Sequence, residues 1–280
     1  MRIIGMPLPS ASLDRYLPVA GALLRYRDEG SGPAVLLIHG WTLDLDMWEP
    51  QVVGLGGFFR LIRFDRRGFG LSSGLASLAA DVQDALSLCN ELQVDRVACL
   101  GMSQGARVAL HLCRSVPDRV SCVVLDGPPR MLAEQTAAEE EDLPLAEYRG
   151  LVAGGEIEKF RRRWAAHPLM RLETRAAHPR TLLQQMTSRY TGKDLLRDAA
   201  APDDDWDRAI IASLRTPALI VTGEHDLHAR LRAADALSGA LPGAQRARIA
   251  AAGHIPNLDN PLSYNSIVRA FVGRHAGSRS

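Results

Sequence analysis

A chain of 280 residues, 46% hydrophobic and 23% charged, has the composition of a globular protein with a substantial core. Its 33 basic and 32 acidic side chains leave a formal charge of +1, which gives no reason to expect a nucleic-acid partner. The longest uncharged stretch of the N-terminal part, residues 30–43, is too short and too interrupted by glycine and proline to span a membrane.

The N-terminus and the cysteines both bear on the cellular compartment. The first ten residues carry one arginine and an apolar segment cut short by Pro7 and Pro9, which does not match a secretory signal. Four cysteines lie on apolar runs, at spacings that match no zinc or redox motif: Cys89, Cys99, Cys113 and Cys122. We expect small buried hydrophobic residues rather than disulfides, in a reducing compartment, and therefore a cytoplasmic protein.

Short apolar runs alternate with helical patterns along most of the chain. The runs predicted as strands are 22–32, 34–39, 58–65, 96–102, 120–126, 218–223 and 244–250. Between them, apolar residues recur at helical spacing over 78–92 and 103–114. The alternation predicts an α/β fold, a mostly parallel sheet flanked by helices on both faces. The first run, 22–32, suits an antiparallel hairpin at the sheet edge.

This alternation stops between about 130 and 205, where no convincing strand occurs. Short helical patterns punctuated by proline and glycine take its place, over 133–148, 156–167, 180–190 and 192–200. We predict a helical insertion at 131–205 inside one α/β domain, whose two parts are 1–130 and 206–280. The last eight residues, 273–280, are small and polar and are expected to be a frayed tail.

The sequence "GMSQG" at 101–105 places a serine between two glycines, directly behind a predicted strand and directly ahead of a predicted helix. This context is typical of a nucleophile elbow, in which Gly101 and Gly105 let strand and helix approach closely while Ser103 is held at the tip. The five-residue pattern also arises by chance, so its interpretation depends on the rest of the sequence.

A serine nucleophile needs a base within hydrogen-bond reach, and that base needs an acid to orient it. In the elbow architecture the chain order is Ser, Asp, His. Asp226 follows the predicted strand 218–223, and His254 follows the last predicted strand. Parallel strands bring these loops to one sheet edge. Glu224 and Asp126 remain alternatives for the acid.

The same chemistry requires two backbone N–H donors for the oxyanion of a tetrahedral intermediate, each worth about 3 to 4 kcal/mol. The amide of Gln104, at the start of the helix after Ser103, is one candidate. Trp41 is the other, because it follows an early strand in the sequence His39-Gly40-Trp41, where Gly40 allows a close bend.

Five segments together resemble the α/β-hydrolase superfamily over nearly the whole chain: residues 39–41, "FDRRGFGLSS" at 64–73, "GMSQG", "VTGEHD" at 221–226 and "GHIPNLDNP" at 253–261. The resemblance is to its esterase, lactonase and cofactor-free haloperoxidase branch in particular. It implies Ser103 as nucleophile, His254 as base, Asp226 as acid, and the amides of Trp41 and Gln104 as oxyanion hole. It also implies that no cofactor is needed and that 131–205 is the family's cap.

Three positions depart from the family's pattern: Ala106 and Arg107 after the elbow, and Asp259, where glutamate is common. Serine at position 103 favours acyl chemistry over the alkyl displacement of the related dehalogenases and epoxide hydrolases, which use aspartate there. We therefore expect hydrolysis of a small-molecule ester or lactone through an acyl-enzyme. A carbon–carbon bond hydrolase, a perhydrolase or a low-turnover small-molecule receptor are the alternatives.

Two further features have competing interpretations. His225, Asp226 and His228 are close in sequence but include no further paired ligand, so no metal site is expected. Residues 149–197 hold 11 basic against 4 acidic side chains, which would steer an anionic substrate or would simply form solvated helix faces.

Overall fold

The computed structural model describes residues 14–132, 143–196 and 206–276 of the chain. Its strands are β1 (Arg15–Val19), β2 (Ala22–Gly30), β3 (Ala34–Ile38), β4 (Arg60–Phe64), β5 (Val97–Met102), β6 (Val120–Asp126), β7 (Ala218–Gly223) and β8 (Gln245–Ile249). In the described residues they form one eight-stranded sheet in the order β1-β2-β4-β3-β5-β6-β7-β8.

The sheet is antiparallel at one edge and parallel elsewhere. β2 pairs antiparallel with β1 and with β4, and every pairing from β4 onward to β8 is parallel. All residues of β5, β6 and β7 are buried, as expected for strands covered by helices on both faces. The predicted α/β class with a mostly parallel sheet is therefore confirmed.

The described residues contain ten α-helices. They are α1 (Glu49–Leu55), α2 (Leu78–Glu91), α3 (Gln104–Ser115), α4 (Leu145–Ala153), α5 (Ile157–Ala165), α6 (Ala177–Arg189), α7 (Arg208–Ser213), α8 (His228–Ala240), α9 (Pro256–Asp259) and α10 (Pro261–His275). Leu55 of α1 and Phe271 of α10 belong to one apolar core, and Leu88 of α2, Val108 of α3 and Leu237 of α8 belong to the other. Alternate strand residues contribute to the two cores because successive side chains point to opposite faces.

The predicted edge hairpin exists, but its first strand was missed. β1 pairs with β2 through the turn at 20–21, so the partner strand of this hairpin precedes β2 in the chain and does not follow it. The residues of β1 alternate only between exposed and half-buried, and Pro18 lies among them. A five-residue edge strand with no buried position gives little hydrophobic pattern, which explains the omission.

Between β6 and β7 the chain forms α4, α5 and α6 with short 3-10 turns at Pro168–Met170 and Lys193–Leu196. The described part of this segment, 143–196, contains no strand. The predicted helices over 133–148 and 192–200 lie partly outside the described residues. We call residues 143–196 the helical segment.

Three further points concern the ends and the composition of the chain. The predicted frayed tail is wrong in its first residues, since α10 continues to His275, with Phe271 and Val272 buried in the core. All four cysteines are buried free thiols, as expected. In the part of the chain that the structure describes, no helix combines the length and apolar character needed to cross a bilayer.

Candidate active site

The turn between β5 and α3 holds Ser103 in an unusual backbone conformation. Its φ of 50° and ψ of −113° fall in a region that residues other than glycine rarely adopt. The Ser103 amide donates to the Asp126 carbonyl on the neighbouring strand at 2.7 Å. A Cβ at Gly101 would collide with the Gly105 carbonyl, and a Cβ at Gly105 would collide with the Ile38 carbonyl. Both glycines are therefore required by close approach of backbone to backbone.

His254 and Asp226 form a buried pair at the same sheet edge. His254 Nδ1 lies 2.9 and 3.1 Å from the two Asp226 carboxylate oxygens, and the two residues are 5% and 6% exposed. Because a carboxylate only accepts hydrogen bonds, Nδ1 carries the ring proton and Nε2 is left as the acceptor. Ser103 and His254 both line one cavity, and no direct hydrogen bond joins their side chains among the described residues.

The loop that carries His254 is fixed on both sides. A Cβ at Gly127, which has a φ of +49°, would lie only 2.9 Å from His254 Cε1, so this glycine is needed for the imidazole to fit. The Asp259 carboxylate accepts from the Gly253 amide at 2.8 Å and from the Thr174 amide of the helical segment at 3.0 Å. Burial raises the pKa of Asp259. In the sequence, Asp259 stands out only as a departure from the family's pattern, and the one signal of Gly127 is its position after a strand end.

Neither alternative acid is hydrogen-bonded to the His254 imidazole among the described residues. Asp126 is fully buried, and burial holds the pKa of its carboxyl well above the ordinary value, with the charge of Asp226 acting in the same direction. Glu224 is exposed and accepts a hydrogen bond from the Ala251 amide. His254 is therefore paired with Asp226 and with neither alternative.

The loop backbone at Gly40 and Trp41 lies against the turn that carries Ser103. A Cβ at Gly40 would lie 2.6 Å from Met102 Sδ, and Thr42 has a positive φ of 63°. The amides of Trp41 and Gln104 find no protein acceptor within the described ranges. The first amides of a helix have no partner inside that helix, which accounts for the Gln104 N–H.

His39 shapes this loop without being able to ionise. Its Nε2 accepts from the Arg66 amide at 2.8 Å, so Nδ1 carries the proton and donates to the Gly40 carbonyl at 2.8 Å. Burial, with the nearby Arg66 charge, lowers the pKa of His39 to about 3. The ring is therefore neutral at pH 7 and acts as a fixed link between two loops.

Asp65 joins the loop after Trp41 to the 64–73 segment. Its carboxylate accepts from the amides of Leu45 and Leu71, both at 2.8 Å, and pairs with Arg25 at 3.3 Å. Burial, together with the charge of Asp44, raises the pKa of Asp65 to about 7. These contacts give Asp65 a structural role at the start of the 64–73 segment.

A cavity of about 640 Å³ opens above Ser103 and is lined by the core and by the helical segment. Trp41 and Trp164 both line it. The remaining walls are mainly apolar residues and arginines: Leu43, Met102, Leu145, Leu169, Met170, Leu195 and Ile255, with Arg107, Arg130, Arg149 and Arg230. Over 14–132, 143–196 and 206–276, no group of three His, Cys, Asp or Glu is arranged to hold a metal ion.

A family model described as the alpha/beta hydrolase fold matches residues 33–261. The chain belongs to the α/β-hydrolase fold family. Among its relatives, a pimeloyl-acyl-carrier-protein methyl ester esterase of Methylococcus capsulatus is 28% identical over 87% of this chain and 96% of its own length. A relative in Klebsiella pneumoniae, RutD, named for carbamate hydrolysis, is 27% identical over 84% of this chain and 90% of its own.

Solved structures agree with this membership. A thermophilic esterase from Thermogutta terrifontis superposes on this α/β-hydrolase with a TM-score of 0.78 at 25% identity, covering 94% of this chain and 99% of that one. Together with the family match, this confirms the α/β-hydrolase fold that the sequence motifs implied.

Proposed function

We propose that this α/β-hydrolase is a serine hydrolase that cleaves a small carboxylic ester or lactone through an acyl-enzyme. The observation that carries the proposal is the position of Ser103 on a strained elbow, in one cavity with His254, whose Nδ1 is bound to Asp226. The ester-cleaving relatives support the same reaction class. Residues 131–205 are proposed as the cap, and the four buried thiols support a reducing compartment, proposed as the cytoplasm.

In the proposed first step, Ser103 Oγ attacks the carbonyl carbon while His254 Nε2 takes the hydroxyl proton. Asp226 holds the imidazole by its Nδ1 proton and stabilises the cation that forms. His254 then gives its proton to the leaving alkoxide as the carbon–oxygen bond breaks, which leaves the acyl group on Ser103.

In the second step a water molecule repeats the cycle. His254 takes a proton from the water as its oxygen attacks the acyl carbon, and returns that proton to Ser103 Oγ as the acid product leaves. Both tetrahedral intermediates carry a negative oxygen, for which the amides of Trp41 and Gln104 are the proposed donors. Each such donor is worth about 3 to 4 kcal/mol in acyl-transfer enzymes.

The test is labelling with a fluorophosphonate probe, combined with turnover of p-nitrophenyl acetate. We expect wild type to be labelled at Ser103, and Ser103→Ala to lose labelling and at least 1000-fold in kcat. Ser115→Ala, an exposed serine at the end of the same helix, is the matched control and should retain both.

A Ser103→Ala variant that kept turnover within a factor of two of wild type would contradict the mechanism. A substrate panel on the same sample then separates the related chemistries: a lactone, a vinylogous diketone, and acetate with peroxide. Tight thermal stabilisation by a ligand with negligible acyl release would instead indicate a receptor.

A further inference from the structure

The carboxylate of Asp194 links the helical segment to the proposed oxyanion loop. Asp194 lies in the 3-10 turn Lys193–Leu196 and lines the cavity above Ser103. One of its oxygens accepts from the indole Nε1 of Trp41 at 2.7 Å, and the other accepts from the Tyr190 hydroxyl at 2.7 Å. Both acceptor atoms are therefore occupied by side chains that also touch each other, with ring centroids 6.0 Å apart.

Two further contacts tie the same loop to the same segment. Trp164 Nε1 donates to Thr42 Oγ1 at 2.6 Å, directly beside Trp41. Arg189, at the end of α6, reaches the carboxylates of Asp44 and Asp46, each at 2.7 Å. Four residues of the loop between 41 and 46 are thus held by side chains that belong to the helical segment.

The loop needs such support because its backbone is not relaxed by itself. Thr42 has a positive φ of 63°, a conformation that is unfavourable for a β-branched residue. Such a conformation persists where the surroundings impose it, and it commonly does so at functional sites. The indole of Trp41 packs edge-on against Trp164, with ring centroids 4.9 Å apart, so its position fixes the course of the backbone on either side.

We infer that Asp194 is a positioning residue for ester hydrolysis, holding the indole of Trp41 so that the Trp41 amide points at the oxyanion. This inference rests on the proposed function. Asp194 acts through Trp41 and forms no bond to the reacting atoms. An ionised carboxylate suits the task because it accepts two charge-assisted hydrogen bonds at once. Burial and the negative charge of Asp194 both raise the pKa of Tyr190, so its hydroxyl keeps the proton that it donates.

The first test is Asp194→Ala in the full chain, assayed with p-nitrophenyl acetate. Loss of a donor from an oxyanion hole costs 100-fold to 1000-fold in kcat in comparable enzymes, so a misplaced donor should cost about tenfold or more. We expect kcat to fall by about that factor while KM changes less than twofold, because the oxyanion is absent from the bound substrate and forms only in the tetrahedral intermediates and the transition states that lead to them. An unchanged kcat would overturn the inference.

A double-mutant cycle distinguishes positioning through Trp41 from a general loss of structure. Trp41→Phe removes the indole donor and keeps the backbone amide. If Asp194 acts through the indole, Asp194→Ala should lower kcat less than twofold in the Trp41→Phe background. If the kcat of the double variant instead falls by the product of the two single-variant losses, Asp194 acts independently of Trp41 and the inference is overturned.

Two variants keep the test decisive if Asp194→Ala folds poorly. Asp194→Asn has the same shape but no charge, which weakens its hydrogen bond to the Trp41 indole, so kcat should lie between wild type and alanine, with the melting temperature close to wild type. Asp235→Asn, an exposed acid of α8 paired with Arg246, is the matched control and should change neither quantity. Asp194→Asn with wild-type kcat would count against the inference.

The two proposals fail in different ways. If wild type neither turns over an ester nor reacts with the fluorophosphonate probe, the proposed function is wrong. If wild type is labelled and turns over but Asp194 variants match it in kcat, only the positioning role is wrong.

Discussion

Two aspartates near His254 have the same chemical group and different surroundings. Asp226 meets the imidazole Nδ1 at 2.9 Å, whereas burial raises the pKa of Asp126 well above its usual value and so disfavours the charged form of that carboxyl. A carboxyl that resists ionisation is poorly suited to stabilising an imidazolium. The surroundings of the two side chains therefore favour Asp226 as the proposed acid.

Replacing each aspartate by asparagine separates the two. We expect Asp226→Asn to lower kcat about 10,000-fold, as loss of the acid does in an unrelated serine protease, because the amide imposes the wrong imidazole tautomer. Asp126→Asn should change kcat less than threefold at pH 7, since the hydrogen bonds of the His254 Nδ1 go to Asp226 and not to Asp126. The reverse ranking in p-nitrophenyl acetate turnover would assign the acid to Asp126.

The same pair of variants predicts a pH dependence of stability. A buried acid with a raised pKa keeps its proton in the folded state after the unfolded chain has lost it. The free energy of unfolding of wild type should therefore fall relative to Asp126→Asn as pH rises above about 4, the unfolded pKa of aspartate. Thermal melting of both proteins between pH 4 and pH 8 checks the sign, and parallel curves would contradict the raised pKa.

At the scale of secondary-structure elements, the elbow depends on how closely α3 crosses the sheet. The Gly105 Cα faces the Ile38 carbonyl of β3, and the Gly101 Cα faces the Gly105 carbonyl, so backbone meets backbone at two points. Backbone atoms cannot change rotamer to make room, unlike a flexible side chain. Strand, turn and helix therefore form one rigid unit that holds Ser103 at its tip.

Gly105→Ala should accordingly destabilise the protein by about 3 kcal/mol and lower turnover, because the new methyl group pushes α3 away from β3. Gly239→Ala is the matched control, since that glycine lies in α8 with nothing within 4 Å of an added Cβ. Removing a helical glycine there should stabilise by about 0.5 to 1 kcal/mol. Chemical denaturation of the two variants measures both changes, and equal effects would contradict the close approach.

Arginine side chains from separate parts of the chain line the cavity. Arg107 comes from α3, Arg130 follows β6, Arg149 belongs to α4 and Arg230 belongs to α8, yet all four line one cavity with Ser103. Among the described lining residues these four arginines outnumber the carboxylate of Asp194, and an excess of one charge sign in a cleft raises the local concentration of oppositely charged ligands. Of the basic residues in 149–197, Arg149 lies in the described lining of the cavity.

We therefore expect a negatively charged ester to be favoured, and salt to reduce the preference. The kcat/KM ratio of mono-p-nitrophenyl succinate to p-nitrophenyl acetate should exceed one at 20 mM salt and fall several-fold at 500 mM salt, where the Debye length is about 4 Å. Arg149→Gln should lower that ratio without changing turnover of the neutral ester. A ratio that ignores salt would show that the arginines do not act on the substrate.

Most of the fold could be predicted from hydrophobic runs and their spacing. The six parallel strands were each located to within two residues, because a fully buried strand is a continuous apolar run bounded by polar or glycine residues. No sequence pattern predicts β1 because an exposed edge strand has no such run, and the predicted frayed tail at 273–280 is wrong over its first three residues because a polar helix end carries no apolar signal.

The residue types of the candidate site were set by the sequence, and their partners were set by tertiary structure. "GMSQG", Asp226 and His254 could be found because elbow geometry demands glycine and because catalytic chemistry demands those side chains in that order. Gly127 beneath the imidazole, the choice between Asp226 and Asp126, and the contact of Asp194 with Trp41 join residues far apart in the chain. Only folding brings those groups to bonding distance, so no local pattern records them.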